Sequence, residues 1–188
     1  MITQVTDLKS EEELVKRAQH DREAFGELYE LHYSRIFNYA LKRTASVQLA
    51  MDITSNTFFK AMNQIKKFRW REIPFSAWLY KIASNEINDH YRSGNRRMVS
   101  LEEVAPMLDA REFSDEIVEA EEQMSQHEEF LHLHKKLSEL PEKYQEVITL
   151  KYFEKKKIKD IVKILGKKEG TVKSLLHRGL ERLKENMQ

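Results

Sequence analysis

Residues 75–97 read FSAWLYKIASNEINDHYRSGNRR. Phe75, Trp78, Leu79, Ile82, Ala83 and Ile87 recur there at three- and four-residue steps, which at about 100° per residue places them on one side of a helix. The same wheel predicts that Lys81, Ser84, Asn85, Asn88 and Arg92 share the opposite side, flanked by Tyr80 and Tyr91, with Arg96 and Arg97 closing the stretch. That polar face has no carboxylate at its centre. Cations neutralise phosphates, and the Asn amide both donates to and accepts from a base edge. An ordinary amphipathic helix also shows a polar outer face, so the surrounding chain has to discriminate.

Upstream, Ser10 and Glu13 have the form of a capping box and predict a first helix from there to about His20. Asp21 is suited to cap a second, whose apolar stripe is Phe25, Leu28, Tyr29, Tyr33, Ile36, Phe37, Ala40 and Leu41. A third, starting near Val47 or Asp52, carries Ile53, Phe58, Phe59, Met62 and Ile65. KKFRWREIPFS (66–76) follows as a loop whose Pro74 precedes the helix over 75–92. These four segments predict one helical domain, residues 1–97, with an aromatic core.

Downstream, residues 98–130 hold one Arg against 11 Asp and Glu, whereas residues 1–97 hold 16 Lys and Arg against 12 acids, and residues 131–188 hold 15 against 8. Two basic blocks joined by an acidic strap concern partners more than folding. The irregular spacing of Val104, Met107, Leu108, Phe113, Ile117 and Val118 predicts a flexible acidic linker, extended over 93–113 and open to a helix over 114–130. From 131 the helical period returns with Leu133, Leu137 and Leu140, then Pro141 opening a helix with Tyr144, Val147, Ile148 and Leu150. Ile158, Ile161, Val162 and Leu165, a break at Gly166, and a last helix give the spacing of a helix-turn-helix.

In that last helix Val172, Leu176, Gly179 and Leu183 are predicted to face inward. Thr171, Lys173, Ser174, His177 and Arg178 then face outward near its amino-terminal end, the part of a recognition helix that meets base edges in the major groove. Lys155, Lys156, Lys157, Lys159 and Lys163 around the supporting helix are suited to the DNA backbone. The expectation is an all-α chain of two small domains, the second a four-helix helix-turn-helix domain.

Other classes find little support. The 188 residues contain no Cys, 5 Gly and 3 Pro, so disulfides and thiolate metal sites are excluded and long helices go uninterrupted. His127, His132 and His134, with Glu128 and Glu129 between, do not set two ligands one turn apart, so no metal site is expected. No phosphate loop, nucleophile elbow or His-Glu-x-x-His occurs, so neither an enzyme nor a cofactor is expected. The acidic start lacks a signal peptide, and no apolar run approaches the roughly 20 residues that cross a bilayer. The expectation is a cytoplasmic protein without membrane insertion.

AFGELYELHYSRIFNYAL (24–41), DITSNTFFKAM (52–62) and FSAWLYKIASNEINDHYR (75–92) resemble conserved region 2 of an RNA polymerase sigma factor of the small extracytoplasmic-function type. LPEKYQEVITLKYFE (140–154) and IKDIVKILGKKEGTVKSLLHRGLERLK (158–184) resemble region 4 of the same family. The resemblance implies that Asp52, Ser55, Asn56, Phe59 and Lys60 dock on the clamp helices of the largest subunit of core RNA polymerase. The family's usual Gln-Glu pair is replaced here by Ser55 and Asn56, and Phe58 also fits its pattern. It implies that Phe68, Arg69, Lys81, Asn85, Asn88, Arg92 and Arg96 open the −10 element and hold its single strand, and that Thr171, Lys173, Ser174, His177 and Arg178 read the duplex −35 element. Leu175 stands where an extra basic residue is common, and Lys156-Lys157-Ile158 replaces the family's Gly-Leu-Ser. The linker resembles a connector that threads the polymerase cleft, and the family implies an anti-sigma partner. The alternatives are a stand-alone dimeric helix-turn-helix regulator and an interaction adaptor with a degenerate helix-turn-helix.

Overall fold

The computed structural model describes residues 3–70, 74–92 and 128–187. Arg96, loop residues 71–73 and nearly all of the acidic segment lie outside the described residues. What is described is helical, with no strand: α1 Thr3–Ala18, α2 Arg22–Thr44, α3 Val47–Gln64 with a 3₁₀ turn over Ile65–Lys67, and α4 Phe75–Arg92. After the acidic segment come α5 Glu128–Ser138, α6 Glu142–Ile148 continuing as a π turn over Thr149–Phe153, α7 Ile158–Leu165 and α8 Glu169–Asn186.

The helix boundaries follow from local chemistry. Asp21 caps α2 by accepting from the Glu23 N–H at 2.9 Å, and Ser46 caps α3 by accepting from the Leu49 N–H at 3.3 Å. Between them the chain reverses through Ala45, in the left-handed region at φ 48°, whose N–H closes on the Leu41 carbonyl at 2.8 Å. The first helix differs from expectation: it begins at Thr3 rather than Ser10. Neither Gly nor Pro occurs before Gly26, so nothing stops the helical backbone from running through the capping-box residues.

α1 to α4 pack around Leu28, Ile36, Phe37, Phe58, Phe75, Leu79 and Ile87, all buried. The second unit is built around Leu150, Ile161, Ile164 and Val172. In α8 the buried residues are Val172, Leu176, Gly179 and Leu183, as the wheel predicted. Gly166 makes the turn between α7 and α8 at φ 62°, a conformation that costs a glycine little.

Gly179 lets α8 approach α6 closely: a Cβ there would lie 3.1 Å from Ile148 Cδ1 and 3.2 Å from Tyr144 Cβ. The Tyr144 Cβ is fixed by its own helix and cannot withdraw. Gly179→Val is therefore expected to destabilise the second unit by about 1–3 kcal/mol through overpacking, seen as a lower midpoint in thermal unfolding. An unchanged midpoint would mean that the two helices separate at little cost.

Candidate nucleic-acid and polymerase interfaces

The polar side of α4 is narrower than its wheel suggested. Lys81, Asn85 and Arg92 are exposed, whereas Ser84 and Tyr80 are buried. The Ser84 and Tyr39 hydroxyls are hydrogen-bonded at 2.7 Å. Asn88 is half-buried, its Oδ1 accepting from Arg43 Nη2 at 3.3 Å, and the Tyr91 hydroxyl donates to the Arg43 carbonyl at 3.1 Å. A single wheel assumes one packing partner, but α4 also packs against α7 and against the end of α2. That second contact covers the flank carrying Tyr80, Ser84 and Tyr91. The exposed remainder is a stripe of two cations around one amide, with Asp89 3.7 Å from Arg92.

Beside it the described start of the loop after α3, at Phe68 and Arg69, is held by side-chain contacts. Phe68 sits in an aromatic cluster, its ring centre 4.7 Å from that of Trp78 and 5.7 Å from that of Phe75. Arg69 is exposed and turns Nη1 back onto the Lys66 and Phe68 carbonyls at 3.0 and 3.2 Å. Gln19 at the end of α1 donates from Nε2 to the carbonyls of Phe68 at 2.9 Å and Ile65 at 3.3 Å. Sequence reading missed Gln19, since its partners are more than forty residues away. It also missed Arg43, which is 1% exposed, with Nη1 donating to the Tyr39 hydroxyl at 3.1 Å; a Lys-Arg pair ending a helix looks like surface charge.

On α3, Asp52, Ser55, Asn56, Phe59 and Lys60 are all exposed. Phe59 is 62% exposed, an unusual position for a phenyl ring, and Met62 one turn on is 43% exposed. Phe58, which also fitted the family pattern, belongs instead to the core at 3% exposure, with its ring against Tyr29 at 4.7 Å. Lys60 pairs with Glu86 of α4. Asp52, Ser55 and Asn56 line a groove of about 510 Å³ with Glu86, Asp89 and His90.

On α8, Thr171, Lys173, Ser174, His177 and Arg178 are all exposed along one side. In the free protein Lys173 is held by Glu169 at 2.6 Å, and this hydrogen bond keeps the Glu169 carboxyl below its usual range. His177 stands 3.4 Å from Glu181. Of the lysines before the supporting helix, Lys155 and Lys157 are exposed, but Lys156 turns inward, its Nζ 4.6 Å from the centre of the Tyr80 ring. Burial lowers its pKa. It is committed to the seam between the two units rather than to a DNA backbone. Among the described residues no helix is long and apolar enough to cross a membrane.

The fold thus defines an all-helical protein of two units, the second a helix-turn-helix. The family model "Sigma-70 region 2" matches residues 28–97, and "Sigma-70, region 4" matches residues 131–183. The chain is 32% identical over 176 residues to the ECF RNA polymerase sigma factor BldN of Streptomyces coelicolor, covering 91% of this chain and 63% of that one. It is 29% identical over 170 residues to the ECF sigma factor SigW of Bacillus subtilis, covering 89% and 90%. In fold it resembles CnrH, solved in complex with the cytosolic domain of CnrY, with a TM-score of 0.64 at 20% identity over 94% of this chain and 96% of that one. The chain belongs to the sigma-70 family, as an RNA polymerase sigma factor of the ECF type.

Proposed function

We propose that this sigma factor binds core RNA polymerase through the exposed side of α3, reads the −35 element with the outer side of α8, and holds the opened −10 strand on α4 and the loop before it. The observation that carries the reading is the match to both regions in family order, with the outward residues of α8 and the Lys81-Asn85-Arg92 stripe exposed on separate helices. The division of labour corresponds to residues 1–97, a connecting segment over 98–130, and residues 131–188. The chain's own part is recognition and strand opening, and it supplies no bond chemistry. Opening is driven by differential binding, since a face that prefers splayed single strand to duplex shifts the equilibrium toward the open form. Lifting a base from the stack costs a few kcal/mol, which phosphate contacts from Lys81 and Arg92 and polar contacts from Asn85 offset. An anti-sigma protein that covers these faces is the inhibitory partner the family implies.

The test of the whole reading is promoter-directed run-off transcription with bacterial core polymerase. Transcripts starting at discrete sites support it, and clean duplex binding without association to core would favour the dimeric regulator instead. For the −10 face, Asn85→Ala is expected to weaken promoter opening by about 1–2 kcal/mol, the scale of an unmade hydrogen bond, with duplex −35 binding largely intact. Permanganate reactivity of −10 thymines reads the first and a mobility shift the second. Loss of duplex binding with normal opening would move the strand-capture face elsewhere.

A further inference from the structure

The end of α1 reaches across the first unit to the place where the chain leaves α3. Val15 and Ala18 are buried and anchor the last turn of α1 in the core. Beyond that turn the His20 and Asp21 N–H groups both donate to the Arg17 carbonyl, at 2.9 and 3.0 Å, and Asp21 then caps α2. Gln19 therefore stands on a fixed turn between two helices. From there its Nε2 donates to the Phe68 carbonyl at 2.9 Å and to the Ile65 carbonyl at 3.3 Å. An amide nitrogen has two hydrogens, so these two oxygens use its whole donor capacity.

The same two carbonyls bracket the 3₁₀ turn over Ile65–Lys67. That of Ile65 also accepts from the Phe68 N–H at 3.0 Å, and at Phe68 the backbone becomes extended, with φ −63° and ψ 133°. That of Phe68 takes Arg69 Nη1 as a second donor at 3.2 Å, which fills both of its lone pairs. One peptide plane thus decides the seat of the exposed Arg69 guanidinium and the entry of the Phe68 side chain among the rings of Phe75 and Trp78. At this half-buried position water would satisfy the same oxygens. Water would not fix their direction, and orientation is what the Gln19 side chain adds.

We propose that Gln19 is a positioning residue for capture of the opened −10 strand: by holding the Phe68 carbonyl from the end of α1, it presets Phe68 and Arg69 in the arrangement that meets the strand. This role rests on the placing of Phe68 and Arg69 in the −10 face above. Its benefit is preorganisation, since a segment ordered before the strand arrives loses less conformational freedom on binding. Gln19 itself does not have to touch DNA.

The chain's two tryptophans, Trp70 and Trp78, both flank Phe68, with ring centres 6.5 and 4.7 Å from its own. Tryptophan fluorescence of the full chain therefore reports on this site. Gln19→Met keeps the length of the side chain and removes the donor. Gln19→Glu keeps its shape and sets a carboxylate against two carbonyl oxygens. Both are expected to raise quenching of the tryptophans by acrylamide. Unchanged quenching in both would show that Phe68 keeps its place without the amide, and would overturn the hold. A change in Gln19→Glu alone would mean that the added charge rather than the lost donor moves Phe68, and counts against the hold equally.

For function, each variant is assembled with core polymerase and titrated with a single-stranded DNA oligonucleotide spanning the −10 element of a promoter mapped by run-off transcription. Kd is expected to rise about 5- to 10-fold in Gln19→Met, the scale of one hydrogen bond expressed as affinity, with duplex −35 binding unchanged. A merely structural glutamine would lower the thermal midpoint and leave the oligonucleotide affinity of the folded holoenzyme at the wild-type value; that result overturns the positioning role. Failure of the wild-type holoenzyme to bind the oligonucleotide would refute the strand-capture reading and this role with it, while the tryptophan signal would still show whether Gln19 holds Phe68.

Discussion

Phe59→Ala is expected to weaken association with core polymerase by about 2–4 kcal/mol, the range of an aromatic anchor at the centre of an interface. At 1.4 kcal/mol per tenfold that is roughly 30- to 700-fold in Kd. The ring is 62% exposed in the free protein and sits among Asp52, Ser55, Asn56 and Lys60 on one side of α3. A phenyl ring so exposed gains most by being covered in a complex. Because it touches little in the free chain, the variant should unfold within about 0.5 kcal/mol of the parent. Phe58→Ala supplies the contrast: at 3% exposure and packed on Tyr29, its loss should cost about 3–5 kcal/mol of folding. Competition binding to labelled core, with denaturant unfolding alongside, separates the two. Wild-type affinity in Phe59→Ala would move the docking face elsewhere, with Leu31, 51% exposed on α2, as the next candidate.

Arg178→Ala is expected to weaken duplex −35 binding by about 1–3 kcal/mol. Arg178 is exposed on the same side of α8 as Lys173, Ser174 and His177, above the buried Val172, Leu176, Gly179 and Leu183 that fix the helix's rotation. Its planar fork can pair with a guanine edge or grip a phosphate, and salt distinguishes these. A phosphate contact should lower the slope of log K against log salt by about one unit and weaken all sequences alike; a guanine contact should relax preference at one base pair. Titrating specific and scrambled duplexes at several salt concentrations reads both. Lys173→Ala should have a smaller effect, because Lys173 must first leave Glu169 at 2.6 Å. An unaffected affinity in Arg178→Ala would place the reading face on another side of α8.

Much of this protein was determined by sequence alone, for reasons that are local. A helix's buried stripe repeats at a fixed angle, so the inward set of α8 and the division into two helical units follow from spacing. Asp21 and Ser46 act within three residues of themselves, and Gly166 turns the chain by its own φ. The family match likewise rests on linear patterns. Tertiary structure decided what depends on a second neighbour. Ser84 and Asn88 share a wheel with Lys81 and Asn85, yet Tyr39 and Arg43 reach across from α2 to engage them, 45 residues away in the chain. Lys156 reads in the sequence as a cation suited to a DNA backbone, yet its Nζ lies 4.6 Å from the centre of the Tyr80 ring. No periodicity encodes such pairings, because they arise only when separately folded faces bring distant polar groups within a few ångströms of each other.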